Sequence, residues 1–478
     1  MIRFGTDGWR AVIADTFTFE NLRLISQAVA DSINRQHLGP DRPQVVVGYD
    51  TRFLSDRFAA ETARVLAANN IVTWLTRTDA PTPAISYNVK EKGAAAGIVI
   101  TASHNPPRYN GFKLKASYGG SATSEACASI EDQLRLMERD ARGPNLMDYQ
   151  QALDQGLIVR FDPSWTYYEH LSTLVDLDRI SEGELNVVVD AMWGAGRGAF
   201  AGILSRTRTR TTEIRSALNP GFGGIHPEPI LKYLNDLVAA VQRQQADVGL
   251  ATDGDADRIG AIDALGNFVD PHHIMALALI HLLEVRGQRG LVVKTVSTTF
   301  MIDNIAAQHD LQVCETPVGF NYIGDLMMRE DVLIGGEESG GISIRGHIPE
   351  GDGILMGLLL LEIMAHAGAP LHEIIAQLQV KYGPAHYGRV DAKLRIQRSK
   401  KQVVTMLADQ APSTLAGETV VKVDTLDGVK FYLSDRGWLL IRPSGTEPIL
   451  RIYAEARSPE AVKALLEAGQ AMADLIVR

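Results

Sequence analysis

Thr101-Ala102-Ser103-His104-Asn105-Pro106-Pro107 follows directly on Ala94-Ala95-Ala96-Gly97-Ile98-Val99-Ile100, and the junction between the two runs decides the fold. The first run is small and apolar and predicts a buried strand. Two prolines then prevent regular structure from continuing. Ser103, His104 and Asn105 therefore sit together at a strand end, and Lys113 follows ten residues after the serine. By itself such a cluster suits a capped turn with an Asn-Pro bend as well as it suits a reactive hydroxyl.

Working outward, Gln44 to Tyr49 is a β-branched strand that ends at Asp50-Thr51-Arg52. Phe19 to Ile33 follows helical spacing, and Ser55 to Asn69 reads as an alanine-rich helix. Arg3 to Ile13 looks like a loop. Strand, helix and strand in this rhythm predict a mostly parallel α/β sheet, with functional loops beyond the carboxyl ends of its strands. A second unit carries the strands Asn186–Asp190 and Ala246–Ala251. A third starts near Gly260, with a helix over 272–283 and strands over 290–294 and 332–334. The units are comparable, but no residue-level repeat links them. Residues 382–387 read as a linker. Beyond them, short strands with turns at Asp427-Gly428 and Arg436-Gly437, then a helix over 459–477, predict a smaller antiparallel α+β domain.

The 478 residues exceed one core and suit three or four domains. The expected spans are 1–148, 149–258, 259–378 and 379–478. Forty-seven basic against fifty-seven acidic residues give a net charge of −10. That balance argues against a nucleic-acid partner, and an anionic substrate would need positive charge gathered locally. Cys127 and Cys314 stand far apart and suggest neither a disulfide framework nor a zinc site, so a reducing compartment is the default. The N-terminus has no apolar signal region. The most apolar run, Ile354 to Met364, contains Glu362 and falls short of the roughly 20 apolar residues a bilayer span requires. A cytoplasmic protein without a membrane partner is expected. The oligomeric state is not legible.

Three further stretches carry chemistry. Asp253-Gly254-Asp255-Ala256-Asp257-Arg258 lets three carboxylates converge, and a hard divalent cation relieves such repulsion. It is not an EF-hand, because Arg258 and Ala264 occupy the turn-glycine and glutamate positions. A solvated acidic turn is the other reading of the spacing alone. Gly335-Gly336-Glu337-Glu338-Ser339-Gly340-Gly341 is either a tight turn or a loop whose glycines admit a ligand to carboxylates and a hydroxyl. Arg442-Pro443-Ser444-Gly445-Thr446 offers a planar donor fork, two hydroxyls and open backbone N–H groups, with Arg451 nine residues later. It suits an anion clamp or a surface turn with a paired arginine. Thr101 rules out a hydrolase nucleophile elbow, and no Gly-Lys-Ser/Thr phosphate loop occurs.

These four loops, in order and type, resemble the signature loops of the phosphohexomutases, the phosphoglucomutase and phosphomannomutase superfamily. The match runs from Phe4-Gly5-Thr6-Asp7-Gly8-Trp9-Arg10 to Arg451. The resemblance implies three similar α/β domains with mixed, mostly parallel sheets plus a C-terminal α+β domain, arranged around a central cleft. It implies a phosphoserine at Ser103, with Mg²⁺ held between its phosphate and Asp253, Asp255 and Asp257. Arg258 would neutralise the same group. Lys113 and Arg10 would lie close to Ser103, and His104 is a further candidate for proton transfer; His347 is a remote one. Glu337 and Ser339 would grip the sugar, with Gly319 facing it. Arg442, Ser444, Gly445, Thr446 and Arg451 would hold the non-reacting phosphate.

The implied reaction interconverts hexose 1-phosphate and hexose 6-phosphate through a bisphosphate that turns end for end, with glucose 1,6-bisphosphate as activator. Glu338 is similar to the glucose-type members; glucosamine-type members usually carry Gln there, followed by Gly-His. Two departures, Gly351 and Asn321, remove positive charge that relatives usually have near the sugar, and leave mannose phosphate as an alternative. A serine-dependent sugar phosphatase and a non-catalytic sugar-phosphate-binding protein are the competing classes.

Overall fold

The computed structural model describes residues 2–4, 8–393, 399–444 and 449–477. Its first sheet contains β1 (Trp9–Val12), β2 (Gln44–Tyr49), β3 (Val72–Thr76), β4 (Ala96–Ile100), β5 (Tyr109–Ala116) and β6 (Ile158–Phe161), in the order β1-β5-β4-β2-β3-β6. Strands β4, β2, β3 and β6 run parallel, while β5 returns antiparallel on β4. The second sheet contains β7 (Asn186–Asp190), β8 (Arg210–Ile214), β9 (Val248–Thr252), β10 (Ile259–Asp263) and β11 (Phe268–Val269), in the order β11-β10-β9-β7-β8. The third contains β12 (Leu291–Thr295), β13 (Val313–Thr316), β14 (Val332–Gly336) and β15 (Ile342–Ile344), in the order β13-β12-β14-β15.

The three sheets share one device. An inner parallel strand is followed by an antiparallel return: β4 by β5, β9 by β10, β14 by β15. The loops inside these hairpins carry Ser103, the three aspartates, and Glu337 with Ser339. Equivalent topology thus places three chemically different loops at equivalent strand ends, a relation that residue matching did not reveal.

The fourth sheet is antiparallel: β16 (His386–Lys393), β17 (Thr414–Leu415), β18 (Glu418–Asp424), β19 (Val429–Leu433), β20 (Trp438–Pro443) and β21 (Ile449–Ala456), in the order β16-β21-β20-β19-β18-β17. The helix Pro459–Val477 covers it. The α/β class with a C-terminal α+β domain is therefore as expected.

Burial explains the elements. Val45, Val46 and Val47 are all fully buried, as are Ile98, Val99 and Ile100, because helices cover both faces of the first sheet. The helix Phe19–Gln36 buries Leu22, Ile25, Ala28 and Val29 along one face. The helix Gly353–Ala367 is apolar all round and buried along nearly its whole length. Each fully buried leucine there contributes about 1.5–3 kcal/mol relative to an exposed one. Among the described residues, no single helix is long and apolar enough to cross a membrane.

Three expectations need correction. Trp9–Val12 is a strand, not a loop, because it pairs antiparallel with Tyr109–Phe112 at the sheet edge. Residues 158–161 belong to the first sheet and residues 259–269 to the second, so cuts at 148 and 258 each divide a sheet. Hydrogen-bond register, which ignores sequence contiguity, fixes those limits. Tyr382 closes a helix and Tyr387 lies in β16, which leaves little linker between them.

Candidate active site

Ser103 stands just past β4, fully buried, with a left-handed backbone (φ 51°) that is unusual for a residue with a side chain. Its N–H donates to Thr101 Oγ1 at 2.9 Å. Beneath it lies Arg52, whose guanidinium donates to the carbonyl oxygens of Ser103, Asn105 (2.7 Å), Pro106 (3.0 Å) and Tyr109 (3.1 Å). Asp50 receives Arg52 Nε at 3.0 Å, Thr101 Oγ1 at 2.6 Å and Ser55 Oγ at 2.9 Å. Burial pushes the Asp50 carboxyl up to about 6 despite Arg52.

The aspartate loop comes to meet this serine. Ser103 Oγ donates to Asp253 Oδ2 at 2.8 Å. A Cβ on Gly254 would stand 2.4 Å from the Ser103 carbonyl oxygen, so the approach requires glycine. One carboxylate oxygen from each of Asp253, Asp255 and Asp257 lies within 4.8 Å of the others. Lys113 Nζ donates to Asp255 Oδ2 at 2.9 Å and Asp257 Oδ2 at 2.8 Å, and Thr82 Oγ1 donates to Asp255 Oδ2 at 2.7 Å. Burial raises the Asp253 carboxyl well above its usual range, and the charges of Asp257 and Asp255 add to this. Burial would raise Asp255 too, but the Lys113 ammonium overcomes it and holds that carboxyl low.

Asp255 Oδ1 and Asp257 Oδ1 are buried with no hydrogen-bond partner among the described residues. Asp257 Oδ1 has Arg258 Nε beside it, at 3.8 Å; converging carboxylates with oxygens that accept no hydrogen bond are hard donors of the kind Mg²⁺ takes, so the residues present fit such an ion.

Positive charge gathers here despite the acidic chain. His104 Nδ1 lies 3.4 Å from Ser103 Oγ. Burial, then Arg258, Arg10, Arg451 and Arg52, hold the imidazole well below its usual range and hence neutral. Arg10 donates to Asn105 Oδ1 at 2.8 Å. Arg258 is pushed up by Asp257 and Asp253, which outweigh its burial.

Glu337 is buried past β14; it accepts from the Gly319 N–H at 2.9 Å and the Ser339 hydroxyl at 3.4 Å. Burial and the adjacent Glu338 push its carboxyl up to about 7, against the pull of Arg258. Glu338 accepts from Ser297 Oγ at 2.6 Å and Thr295 Oγ1 at 3.2 Å. Gly319 has φ 140°, and a Cβ there would meet Asn321 Oδ1 at 2.6 Å.

Arg442 and Arg451 face each other across β20 and β21. Asp427 Oδ2 accepts from Arg442 Nε at 2.6 Å. Ser444 follows at the strand end, while Gly445 and Thr446 lie outside the described residues. His347 is part of an interdomain contact: its Nδ1 is 2.9 Å from His170 Nε2 and its Nε2 is 3.0 Å from the Asp352 carboxylate.

Sequence reasoning missed Arg52, Thr82 and Asp427 as site residues. Asp50-Thr51-Arg52 at a strand end was the one available signal; Asp427 was legible only as half of a turn.

Four family descriptions match the chain in order. They are phosphoglucomutase/phosphomannomutase alpha/beta/alpha domain I over residues 1–139, domain II over 166–266, domain III over 270–382, and the C-terminal domain over 393–469. A phosphoglucomutase/phosphomannomutase of Thermococcus kodakarensis is 33% identical over 98% of this chain and 97% of its own length. A probable phosphoglucosamine mutase of Thermococcus gammatolerans is 32% identical over 99% of each. The crystal structure of a putative phosphomannomutase from Thermus thermophilus superposes with a TM-score of 0.87 at 35% identity, covering 99% of both chains. The chain belongs to the phosphoglucomutase/phosphomannomutase family, within the α-D-phosphohexomutase superfamily.

Proposed function

We propose that this mutase interconverts glucose 1-phosphate and glucose 6-phosphate, with Ser103 as the hydroxyl that stores and returns the phosphoryl group. The observation that carries the reading is the 2.8 Å hydrogen bond from Ser103 Oγ to Asp253, inside a triad with two buried carboxylate oxygens that accept no hydrogen bond among the described residues. A binding protein has no use for a buried hydroxyl placed against three acids.

Phospho-Ser103 transfers its phosphoryl group to the free hydroxyl of the bound sugar phosphate. The hexose 1,6-bisphosphate so formed reorients and returns its other phosphoryl group to the serine. Asp253, Asp255 and Asp257 would hold Mg²⁺, which when bound withdraws charge from phosphoryl oxygens and eases attack at phosphorus. Arg258 and Arg10 place positive charge beside the transferring group. Lys113, whose Nζ donates to Asp255 and Asp257, and the neutral His104, whose Nδ1 lies 3.4 Å from Ser103 Oγ, are the candidates to move the hydroxyl proton. Glu337 and Ser339 accept and donate to ring hydroxyls in both orientations. Arg442, Arg451 and Ser444, with Gly445 and Thr446, hold the phosphate that does not react. Loss of bisphosphate from the cleft leaves an unmodified serine, which glucose 1,6-bisphosphate would recharge.

Glu338 and Gly341 favour glucose over glucosamine, whose enzymes usually carry Gln at the first of these positions and His at the second. Relatives named for mannose and glucosamine phosphates define the competing substrates. Assay of the three sugar 1-phosphates side by side, with Mg²⁺ and bisphosphate, tests the choice. Ser103→Ala should abolish interconversion while sugar-phosphate binding persists. Full turnover by that variant would defeat the mechanism, and release of inorganic phosphate without isomerised product would make the protein a phosphatase.

A further inference from the structure

Asp427 lies in the turn between β18 and β19, 4% exposed. Its carboxylate joins three parts of the chain. Oδ2 accepts from Arg442 Nε at 2.6 Å and from the Val318 N–H at 3.1 Å. Oδ1 accepts from Lys400 Nζ at 2.5 Å. The next residue, Gly428, has φ 98°, and a Cβ on it would meet the Ile441 carbonyl oxygen at 2.6 Å and Arg442 Cα at 2.9 Å. The turn therefore crosses directly over Arg442, and only glycine permits this.

Val318 and Gly319 are consecutive. The Val318 N–H points to Asp427 in the C-terminal domain, and the Gly319 N–H points to Glu337 Oε1 at 2.9 Å in the third. Two carboxylates from different domains are thus anchored on adjacent peptide groups of one turn. Arg442 is in turn fixed by Nε, which leaves its terminal NH₂ pair as the fork that an anion can take. Burial would raise the Asp427 carboxyl, yet Arg442 and Lys400 hold it below its usual range, so it is ionised and a full-strength acceptor.

We infer that Asp427 is a positioning residue that sets the distance between the phosphate fork of Arg442 and the ring-gripping carboxylate of Glu337, by tying both to the Val318-Gly319 turn. The inference rests on the proposed role of Arg442 as phosphate clamp. Its consequence is particular to a substrate that turns over. Both orientations of the hexose must span the same clamp-to-ring distance, so one rigid spacer serves both half-reactions.

The test compares Asp427→Ala, Asp427→Asn, Arg442→Ala and the double variant Asp427→Ala/Arg442→Ala, with glucose 1-phosphate and Mg²⁺. The clamp contacts the phosphate that does not react, so its loss weakens ground state and transition state alike and shows in KM. Asp427→Ala should raise KM at least tenfold with kcat within about threefold. Asp427→Asn keeps an oxygen for Arg442 and Val318 and should raise KM about threefold. Because Asp427 acts through Arg442, the double variant should match Arg442→Ala. A merely structural aspartate would instead add its loss to that of the arginine, and this additivity would overturn the inference. So would an unchanged KM in Asp427→Ala or, if that variant does not fold, in Asp427→Asn. An unchanged KM in Arg442→Ala would overturn the clamp reading itself. Lys400→Met, which leaves Oδ2 and both its donors in place, should keep KM within about twofold; a tenfold rise would move the spacer's origin to the Lys400 pair and overturn the inference.

Discussion

The guanidinium of Arg52 donates a hydrogen bond to the carbonyl oxygen of Ser103, fifty-one residues away and wholly buried. The serine's left-handed backbone costs on the order of 1–3 kcal/mol and persists only where its surroundings impose it. Arg52 supplies that restraint by holding four carbonyls of the loop, and Asp50 holds Arg52.

Arg52→Lys should therefore lower kcat by about tenfold or more, since a point charge cannot span four carbonyls in a plane. The KM for glucose 1-phosphate should change little. Arg52→Ala should also destabilise the fold by about 3–5 kcal/mol, because it leaves Asp50 buried without its counter-charge. Steady-state kinetics and thermal unfolding check the two statements separately. Undiminished kcat in the lysine variant would remove Arg52 from any account of the nucleophile.

The aspartate triad makes a prediction that needs no turnover. A ligand that binds only the folded protein raises its unfolding temperature with concentration. Mg²⁺ should do so for the natural chain, and Asp255→Asn should reduce the shift strongly while cutting kcat. An identical Mg²⁺-dependent shift in both proteins would exclude Asp255 as a ligand.

How much of this was legible without coordinates depends on how local each signal is. Residues 44–49 and 186–190 match their expected strands because a β-branched run between turns carries its own signature. Ser103, Asp253 and Glu337 were legible because loops after buried strands stand out against apolar neighbours. Trp9–Val12 was not, since its pairing partner begins about a hundred residues later and its own residues alternate without a strong pattern. Arg52 and Asp427 escaped for a related reason. Many of their partners are backbone groups brought close by the fold, and a lone charge beside a turn looks the same whether it reaches solvent or a carbonyl. The sheet limits near 161 and 269 depend on register, which composition does not encode.

Glu337 provides the pH dependence. Its carboxyl is raised to about 7 by burial and then by Glu338. Below that value it is protonated in the free enzyme and, in the sugar-gripping role proposed for it, is a weaker acceptor for ring hydroxyls. The kcat/KM for glucose 1-phosphate should therefore rise as pH increases from about 6 to 8. Glu338→Gln removes the neighbouring charge and should move this limb to lower pH. The same variant introduces the residue typical of glucosamine-type members, so it should also narrow any preference for glucose 1-phosphate over glucosamine 1-phosphate. A limb that stays in place in Glu338→Gln would show that Glu337 does not govern it.

Gly351 stands where the family resemblance leads one to expect lysine or arginine, and the structure gives a steric reason for the glycine. A Cβ there would stand 2.8 Å from the Asp257 carbonyl oxygen and 2.9 Å from Gly341 Cα, both backbone atoms that cannot swing aside. Gly353 is equally confined, with the Arg258 carbonyl oxygen 2.1 Å from its would-be Cβ. The sugar loop, the 351–353 turn and the aspartate loop are therefore packed backbone to backbone, and a shift of one displaces the others. Gly351→Ala should separate Asp257 from the sugar loop by several tenths of an ångström and cost about 1–3 kcal/mol of stability, as overpacking does. Because one displaced wall borders each site, the variant should lose Mg²⁺ affinity and sugar-phosphate affinity together. Gly351→Lys, although it reproduces the usual residue, should fare worse than alanine rather than gain activity. Calorimetric titration of each ligand into both variants decides the matter: loss of sugar-phosphate binding with unaltered Mg²⁺ binding would mean that the two loops are not mechanically joined at Gly351.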